Sequence, residues 1–329
     1  MSGRTASRVF VVRRSPVTRS LTALAAAALV SGALAGCVAS PFGDPCGDAY
    51  RPGDASATVT ASGPIGSKPA VRFPTPLIAT TPELSVVQAG EGPRIEGTAA
   101  VSVEYTLYDA SDGSVLQATG YSGSASRGIV NADDGRPVLA DALVCAQPGS
   151  RLAVVFPAEA LDATFSAETE LSGTTYVLVL DVVDTWLGQA NGFNVLPQDG
   201  MPTVVTAVDG TPGITVGTLD IPAESRTAAV KAGGGATVAE GDVAVLHVRS
   251  WSWTGTSVSV GSIDTWEGHT PGRLEADPSL GDPANIPAEV YSALVGATVG
   301  SQLIVVVPAA DGGSATVFVV DVLGIDSDA

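Results

Sequence analysis

The stretch Ala142–Ala158, ALVCAQPGSRLAVVFPA, decides the fold because it returns later in the chain as Ala293–Ala309, ALVGATVGSQLIVVVPA. Eleven of the 17 positions are identical without a gap. An agreement of this length is more than a general richness in Ala and Val explains. The chain therefore contains an internal repeat, which has to be recognised before any other feature is interpreted.

Other matched segments extend the repeat in the same order along the chain. The pairs are Pro69–Leu77 with Pro212–Leu219, Gly90–Gly92 with Gly233–Gly235, and Tyr176–Val183 with Thr316–Leu323. We therefore predict two homologous domains, at residues 67–187 and 200–329, joined by a linker at 188–199.

Within each repeat the apolar residues mostly alternate with a period of two, as Val101, Val103 and Tyr105 do. This period is typical of half-buried β-strands. One short helix per repeat is predicted at Pro137–Leu143 and at Pro287–Leu294, since Pro is favourable at the first helical position. We expect an α+β fold class with two tandem domains, each an antiparallel five- or six-stranded sheet wrapped on one short helix.

The first 36 residues predict an export signal. Arginines within residues 13–19 precede the uncharged run Leu21–Ala35, which is too short for a comfortable membrane span. The run ends in Leu34-Ala35-Gly36-Cys37, which resembles a bacterial lipobox, in which the signal is cleaved before a Cys that carries diacylglycerol. The alternative is a plain signal peptide with a chance Cys. We expect a lipoprotein signal peptide at 1–36, lipidation of Cys37, and a lipid-anchored location on the extracytoplasmic face of the cell membrane.

The composition after the signal excludes one class of partner. From Cys37 onward, 11 basic and 34 acidic residues give a net charge of −23. A body this acidic is repelled by nucleic acid, so no nucleic-acid partner is expected. Residues 37–66 are rich in Gly, Pro, Asp and Ser and have no helical period, which indicates a flexible tether.

Two further cysteines, Cys46 and Cys145, follow the lipobox. An exported protein meets an oxidising compartment, so this pair is a candidate disulfide, although two separate thiols remain the alternative. There is no Cys-x-x-Cys motif or Cys/His cluster. We therefore expect no metal site and no cofactor.

The order of glycine turns, alternating strands and the short helix resembles the FKBP-type peptidyl-prolyl cis-trans isomerase fold, twice over. It is similar to two-domain actinobacterial lipoproteins of that kind. The resemblance covers most of 83–184 and 224–325. Its most specific segments are Glu240–His247, Val299–Ser301, Val305–Pro308 and Phe318–Asp321.

The resemblance implies a proline pocket beside the helix, where an apolar site favours the twisted over the planar amide. The family lines this pocket with aromatic residues and a Phe-Asp pair. In this chain, Leu116-Gln117 stands in place of the Phe-Asp pair in the first repeat, and Val258-Ser259 in the second. The carried-over positions are Tyr105, Leu116, Leu139, Leu161 and Leu180 in the first repeat, and Val248, Val258, Tyr291 and Val320 in the second. The alternative is that these mostly aliphatic residues are ordinary core residues.

The resemblance thus implies an exported, isomerase-like protein that assists extracytoplasmic protein folding and binds extended or proline-containing polypeptide segments. The alternative is a non-catalytic FKBP-fold peptide-binding or chaperone module, because the family's pocket aromatics and Asp are missing. Two other candidates were weighed against core roles. These are His247 as a base, and Trp251 with Trp253 as a stacking platform.

Overall fold

The computed structural model describes residues 50–95, 97–123, 128–131, 137–160, 173–254, 264–282 and 285–327. All of them belong to one compact unit, 48–329. Within these ranges, every helix is too short or too polar to cross a membrane.

The first repeat forms a six-stranded antiparallel sheet, one helix and a two-stranded ribbon. The elements are β1 Thr60–Ser62, β2 Ala70–Arg72, β3 Glu83–Gln88, β4 Ala100–Asp109, β5 Val115–Ala118, β6 Gly128–Asn131, α1 Pro137–Leu143, β7 Arg151–Pro157 and β8 Thr175–Trp186. The sheet order is β3-β7-β8-β4-β5, with β6 also pairing with β4, while β1 and β2 pair only with each other.

The second repeat forms the same kind of structure. Its elements are β9 Phe193–Asn194, β10 Thr203–Thr206, β11 Pro212–Thr215, β12 Arg226–Ala232, β13 Val243–Ser252, β14 Gly272–Glu275, α2 Ala288–Leu294, β15 Gln302–Pro308 and β16 Ala315–Asp326. The sheet order is β14-β13-β16-β15-β12-β9, and β10 pairs with β11 as a separate ribbon.

The two sheets share topology and register. The order β3-β7-β8-β4-β6 corresponds to β12-β15-β16-β13-β14. The longest strand pair is irregular at the same place in both sheets, between Ser102 and Val103 in β4 and between Val245 and Leu246 in β13. The internal repeat is therefore a structural repeat. The predicted antiparallel sheets with few helices are confirmed in the part of the chain that the structure describes.

The glycines that anchor the sequence repeat occupy equivalent tight contacts. A Cβ on Gly90 would overlap the carbonyl oxygen of Pro148, and a Cβ on Gly233 would overlap that of Val299. Pro148 and Val299 each stand directly before a Gly-Ser pair of the repeat. In that pair, the amides of Gly149 and Gly300 each donate to the last sheet strand at 2.8 Å. Glycine is required at these positions because no side chain fits between the two backbones.

Each sheet has one face under its helix and one face under its N-terminal ribbon. Alternate residues of β8 point to opposite sides, so Leu178 and Leu180 pack in the α1 cluster, whereas Val177 and Val179 pack in a cluster with residues 55–79. In the second repeat, the corresponding back face packs against the segment that contains Met201 and β10–β11. Each sheet is therefore a middle layer.

The structure corrects the predicted tether for residues 50–66. Ala55 and Ser56 are buried, and their amides both donate to a carboxylate oxygen of Glu83 at 2.9 Å. Val59 is also buried, in the back-face cluster of the first sheet. Turn-forming composition indicated flexibility, but these residues cover an apolar sheet face that would otherwise contact water. Residues 37–49 lie outside the described ranges.

The predicted linker at 188–199 is likewise part of the second repeat's structure. Phe193–Asn194 forms β9 at the edge of the second sheet, and Ala190 is buried. The domain boundaries themselves remain a prediction.

Candidate proline pocket and a buried polar row

The structure brings four of the five candidate pocket residues of the first repeat into one cluster beside α1. Leu139 and Leu180 are 5% and 0% exposed, so both are closed off from solvent. Tyr105 and Leu116 are half-buried and pack against them at the rim of the cluster. The fifth residue, Leu161, lies outside the described residues.

The second repeat gathers its counterparts beside α2. Val248 and Val320 are 4% and 1% exposed, and Tyr291 is half-buried against the same cluster. Burial raises the pKa of the Tyr291 phenol above its ordinary value. Val258 lies outside the described residues. The buried members of both sets make core contacts, so the partly accessible candidates among the described residues are Tyr105 and Leu116 in the first repeat and Tyr291 in the second.

Gln117 adds a polar group to this rim. It stands where the family's Phe-Asp pair has its Asp, and it is directly opposite Leu107 of the α1 cluster. Cross-strand partners share one face of a sheet, so Gln117 lies on the α1 side. Its Oε1 atom is buried and has no hydrogen-bond partner among the described residues. A buried amide oxygen of this kind can accept a hydrogen bond from a peptide N–H.

Of the predicted disulfide pair Cys46 and Cys145, the structure describes Cys145. Cys145 is bonded in a disulfide. Cys37 and Cys46 lie outside the described residues, so the pairing with Cys46 and the lipidation of Cys37 stay predictions. Within the described ranges, no group of three or more His, Cys, Asp or Glu side chains could hold a metal ion.

Sequence reasoning missed a buried polar row on the back face of the first sheet. Glu104, Asp181 and Arg151 are buried and lie opposite one another on three neighbouring strands, and Gln88 continues the row on β3 at an exposed position. Arg151 and Asp181 form a two-pronged ion pair, with Nε–Oδ1 and Nη2–Oδ2 distances of 2.6 Å, and both residues are buried. Two parallel, charge-assisted hydrogen bonds fix both position and orientation.

This ion pair also holds the covering segment on the sheet. Arg151 donates to the carbonyl oxygens of Gly63 and Pro64 at 2.9 and 3.0 Å. Asp181 accepts from the amide of Gly66 at 2.9 Å. The first row is therefore a structural clamp in which the guanidinium bonds to Asp181 and to the covering segment.

The second sheet carries the equivalent row with different charges. His247, Asp321, Gln302 and Lys231 lie opposite one another on β13, β16, β15 and β12. Asp321 accepts from Gln302 Nε2 and from the amide of Ala190, both at 2.8 Å. Burial raises the pKa of the Asp321 carboxyl above its ordinary value. A neutral amide thus stands where the first row has its guanidinium.

His247 is a buried core histidine. Its Nδ1 is 2.9 Å from Thr265 Oγ1, and its ring stacks on Trp266 with centroids 4.2 Å apart. Burial lowers the pKa of His247 to about 4, so the ring is neutral at pH 7. Trp251 is 4% exposed and packs with Trp253 in the back-face cluster, as expected of core-covering residues.

One signal in the sequence marks both rows. Asp181 and Asp321 are acids inside otherwise apolar strands, and they stand at matching positions of the repeat. A carboxylate in such a strand needs a partner once it is buried.

Two cavities lie away from the candidate pocket, each of about 530 Å³. One is on the back face of the second sheet, beneath residues 189–208. The other is bounded by Trp186, Leu187, Leu323 and residues near Pro93. Neither is lined by the residues carried over as a proline pocket.

No protein-family model matches the sequence, and a comparison with curated proteins finds no match. Among solved structures, the chain is similar to the three FKBP domains of wheat FKBP73, with 14% identity and a TM-score of 0.32 over 74% of this chain and 94% of that one.

Two bacterial structures are similar over shorter parts of the chain. FkpA from Escherichia coli has 17% identity and a TM-score of 0.26 over 39% of this chain and 53% of that one. A putative peptidyl prolyl cis-trans isomerase FKBP12 from Mycobacterium tuberculosis has 18% identity and a TM-score of 0.24 over 32% and 86%. Two of these proteins carry the name of the family to which the sequence repeat shows a resemblance. Likeness at these identities and TM-scores says nothing about activity or substrate.

Proposed function

We propose that the chain is an exported, lipid-anchored, FKBP-like protein that binds proline-containing polypeptide segments in its first repeat. There it would accelerate prolyl isomerisation and assist protein folding outside the cytoplasm. The second repeat would contribute mainly structure, because Val248 replaces the Tyr at its rim.

The proposal rests on one arrangement above all. Tyr105 and Leu116 are half-buried at the edge of the cluster that holds Leu139 and Leu180. On the same side, Gln117 Oε1 has no hydrogen-bond partner within the described ranges. This combination offers an apolar surface for a proline ring and one acceptor for the peptide backbone. Prolyl isomerisation needs no acid or base, since its barrier is the partial double bond of the amide, about 18–20 kcal/mol.

A second candidate function is a non-catalytic peptide-binding or chaperone module of the same fold. Two observations favour it. Leu116-Gln117 replaces the family's Phe-Asp pair, and the Leu180 side chain is fully buried. Such a site can contact a segment while stabilising the planar and twisted amides equally, and equal stabilisation gives no acceleration.

A proline-peptide exchange assay separates the two candidates. The purified chain is expected to accelerate cis–trans exchange of a short peptide above the free rate, which has a time constant of about 10–100 s at 25 °C. Peptide binding without acceleration would leave only the non-catalytic module. An absence of both would remove the proposed site altogether.

The lipid anchor is tested at Cys37. The Cys37→Ser variant is expected to appear in the soluble fraction rather than with membranes, because the acyl chains that hold the protein there are attached to the thiol. Fractionation followed by immunoblotting measures this. A Cys46→Ser variant is the matched control and should stay with the membrane. Continued membrane association of Cys37→Ser would contradict lipidation at this residue.

A further inference from the structure

The back-face cavity of the second repeat is not used by the proposed function. It has a volume of about 530 Å³, and its floor is formed by residues 228–231 of β12 and by Ile304 of β15. Its walls are residues 189–198 and 201–208. Most of its lining is apolar, with Met201 and Val204 packed in the back-face cluster. A largely apolar cleft of about 300–1,000 Å³ is the usual setting of a small-molecule site.

One cation lies among the residues that form the floor of this cavity. Lys231 is one of only two lysines in the chain, the other being Lys68. Its Nζ donates to the carbonyl oxygen of Ala190 at 2.9 Å. Among the described residues, no carboxylate oxygen lies within 4.0 Å of it. An ammonium group has three donors, so Lys231 keeps donors for a ligand.

The two polar rows place their cations on different strands. In the first row, Arg151 bonds to Asp181 and to two backbone carbonyls of the covering segment. In the second row, Gln302 takes that position and bonds to Asp321. In the second row the cation lies one strand further out, at Lys231, where it bonds to Ala190 of the covering segment and also lines the cavity.

The surroundings restrict the ligand's charge and shape. A body with a net charge of −23 from Cys37 onward repels anions in proportion to their charge, so a ligand with one negative charge is repelled less than a polyanion. Apolar side chains are also exposed on the covering segment, with Val205 at 62% and Val208 at 101%. These two residues extend the apolar lining to the surface and provide room for a hydrocarbon chain.

We infer that this cavity binds an amphipathic monocarboxylate of the fatty-acid class. The carboxylate accepts hydrogen bonds from Lys231 Nζ, and the hydrocarbon chain lies against Met201, Ala228 and Ile304. The site is on the opposite face of the sheet from Val320 and Tyr291, so it is separate from the candidate proline pocket. If this cavity does not bind such a ligand, the proposed function is unaffected.

Calorimetric titration of the purified chain with decanoate in detergent-free buffer tests the inference. Saturable binding is expected, and Lys231→Met should weaken it by about tenfold or more, because a charge-assisted hydrogen bond is lost. Decanol, which has the same chain and no charge, should bind Lys231→Met and the unchanged protein within about twofold of each other. Lys231→Arg keeps the charge and should keep most of the decanoate affinity.

Two controls locate the site. Lys68→Met removes the same charge from an exposed position and should leave decanoate binding unchanged. Ala228→Leu fills the cavity floor and should weaken both decanoate and decanol. The inference is overturned if the unchanged protein shows no saturable decanoate binding. It is also overturned if Lys68→Met and Lys231→Met lose equal affinity, or if Ala228→Leu has no effect.

Discussion

Replacing Arg151 by Met is expected to lower the free energy of unfolding by about 3–5 kcal/mol, because it leaves the Asp181 carboxylate buried without its cation. The same change removes the hydrogen bonds to Gly63 and Pro64 that hold the covering segment on the first sheet. The measurement is equilibrium unfolding in urea, with the protein concentration and pH held constant.

Two further variants show whether the lost charge pairing is the cause. The double variant Arg151→Met with Asp181→Leu should recover a large part of the loss, since replacing both ions by apolar groups removes the unpaired charge. Gln302→Met, at the equivalent position of the second row, should cost less, about 1–3 kcal/mol, because a neutral donor is removed. A loss below about 1 kcal/mol for Arg151→Met, or no recovery in the double variant, would contradict a clamp of buried charges.

Acidification is expected to destabilise the fold through His247. The pKa of His247 is lowered to about 4 by burial, from an ordinary value of 6.5. Between these values the unfolded chain binds a proton that the folded chain does not, so the stabilising contribution is complete above pH 6.5 and is lost as the pH falls toward 4. This difference between the folded and unfolded pKa of His247 corresponds to about 3 kcal/mol in the free energy of unfolding.

Asp321 acts in the opposite direction. Because burial raises its pKa, the folded chain binds a proton that the unfolded chain releases, and this contribution is lost as the pH rises above the ordinary carboxyl range.

The two effects are separated by measuring urea unfolding from pH 7 to pH 4.5 in the unchanged protein and in His247→Gln. His247→Gln should show the shallower pH dependence, and His269→Gln, at the chain's only other histidine, serves as control. Equal slopes in the unchanged protein and His247→Gln would contradict this account.

Local patterns in the sequence were sufficient to predict the repeat and the layer under each helix. The 17-residue match and the alternating strands fix which residues are equivalent, and Pro137–Leu143 is helical as predicted. The clusters around Leu180 and Val320 follow from that equivalence, because strand residues two apart share a face.

The other face of each sheet could not be predicted in this way. What covers Asp181 and Asp321 is set by contacts more than 100 residues apart, such as those to Gly66 and Ala190. Turn-rich composition at 50–66 and 188–199 indicated flexible connections, and composition carries no information about which apolar surface such a segment covers. The cavity beside Lys231 depends on that covering segment, so it appears only in three dimensions.

In the proposed function, the first repeat, and not the second, takes a proline-containing segment at its α1 face. The exchange assay tests it most directly when it is run on Tyr105→Ala and on Val248→Ala, which truncate equivalent positions of β4 and β13. The account predicts that Tyr105→Ala loses the acceleration and that Val248→Ala retains it. Acceleration that survives Tyr105→Ala, or that is lost only in Val248→Ala, would contradict the claim.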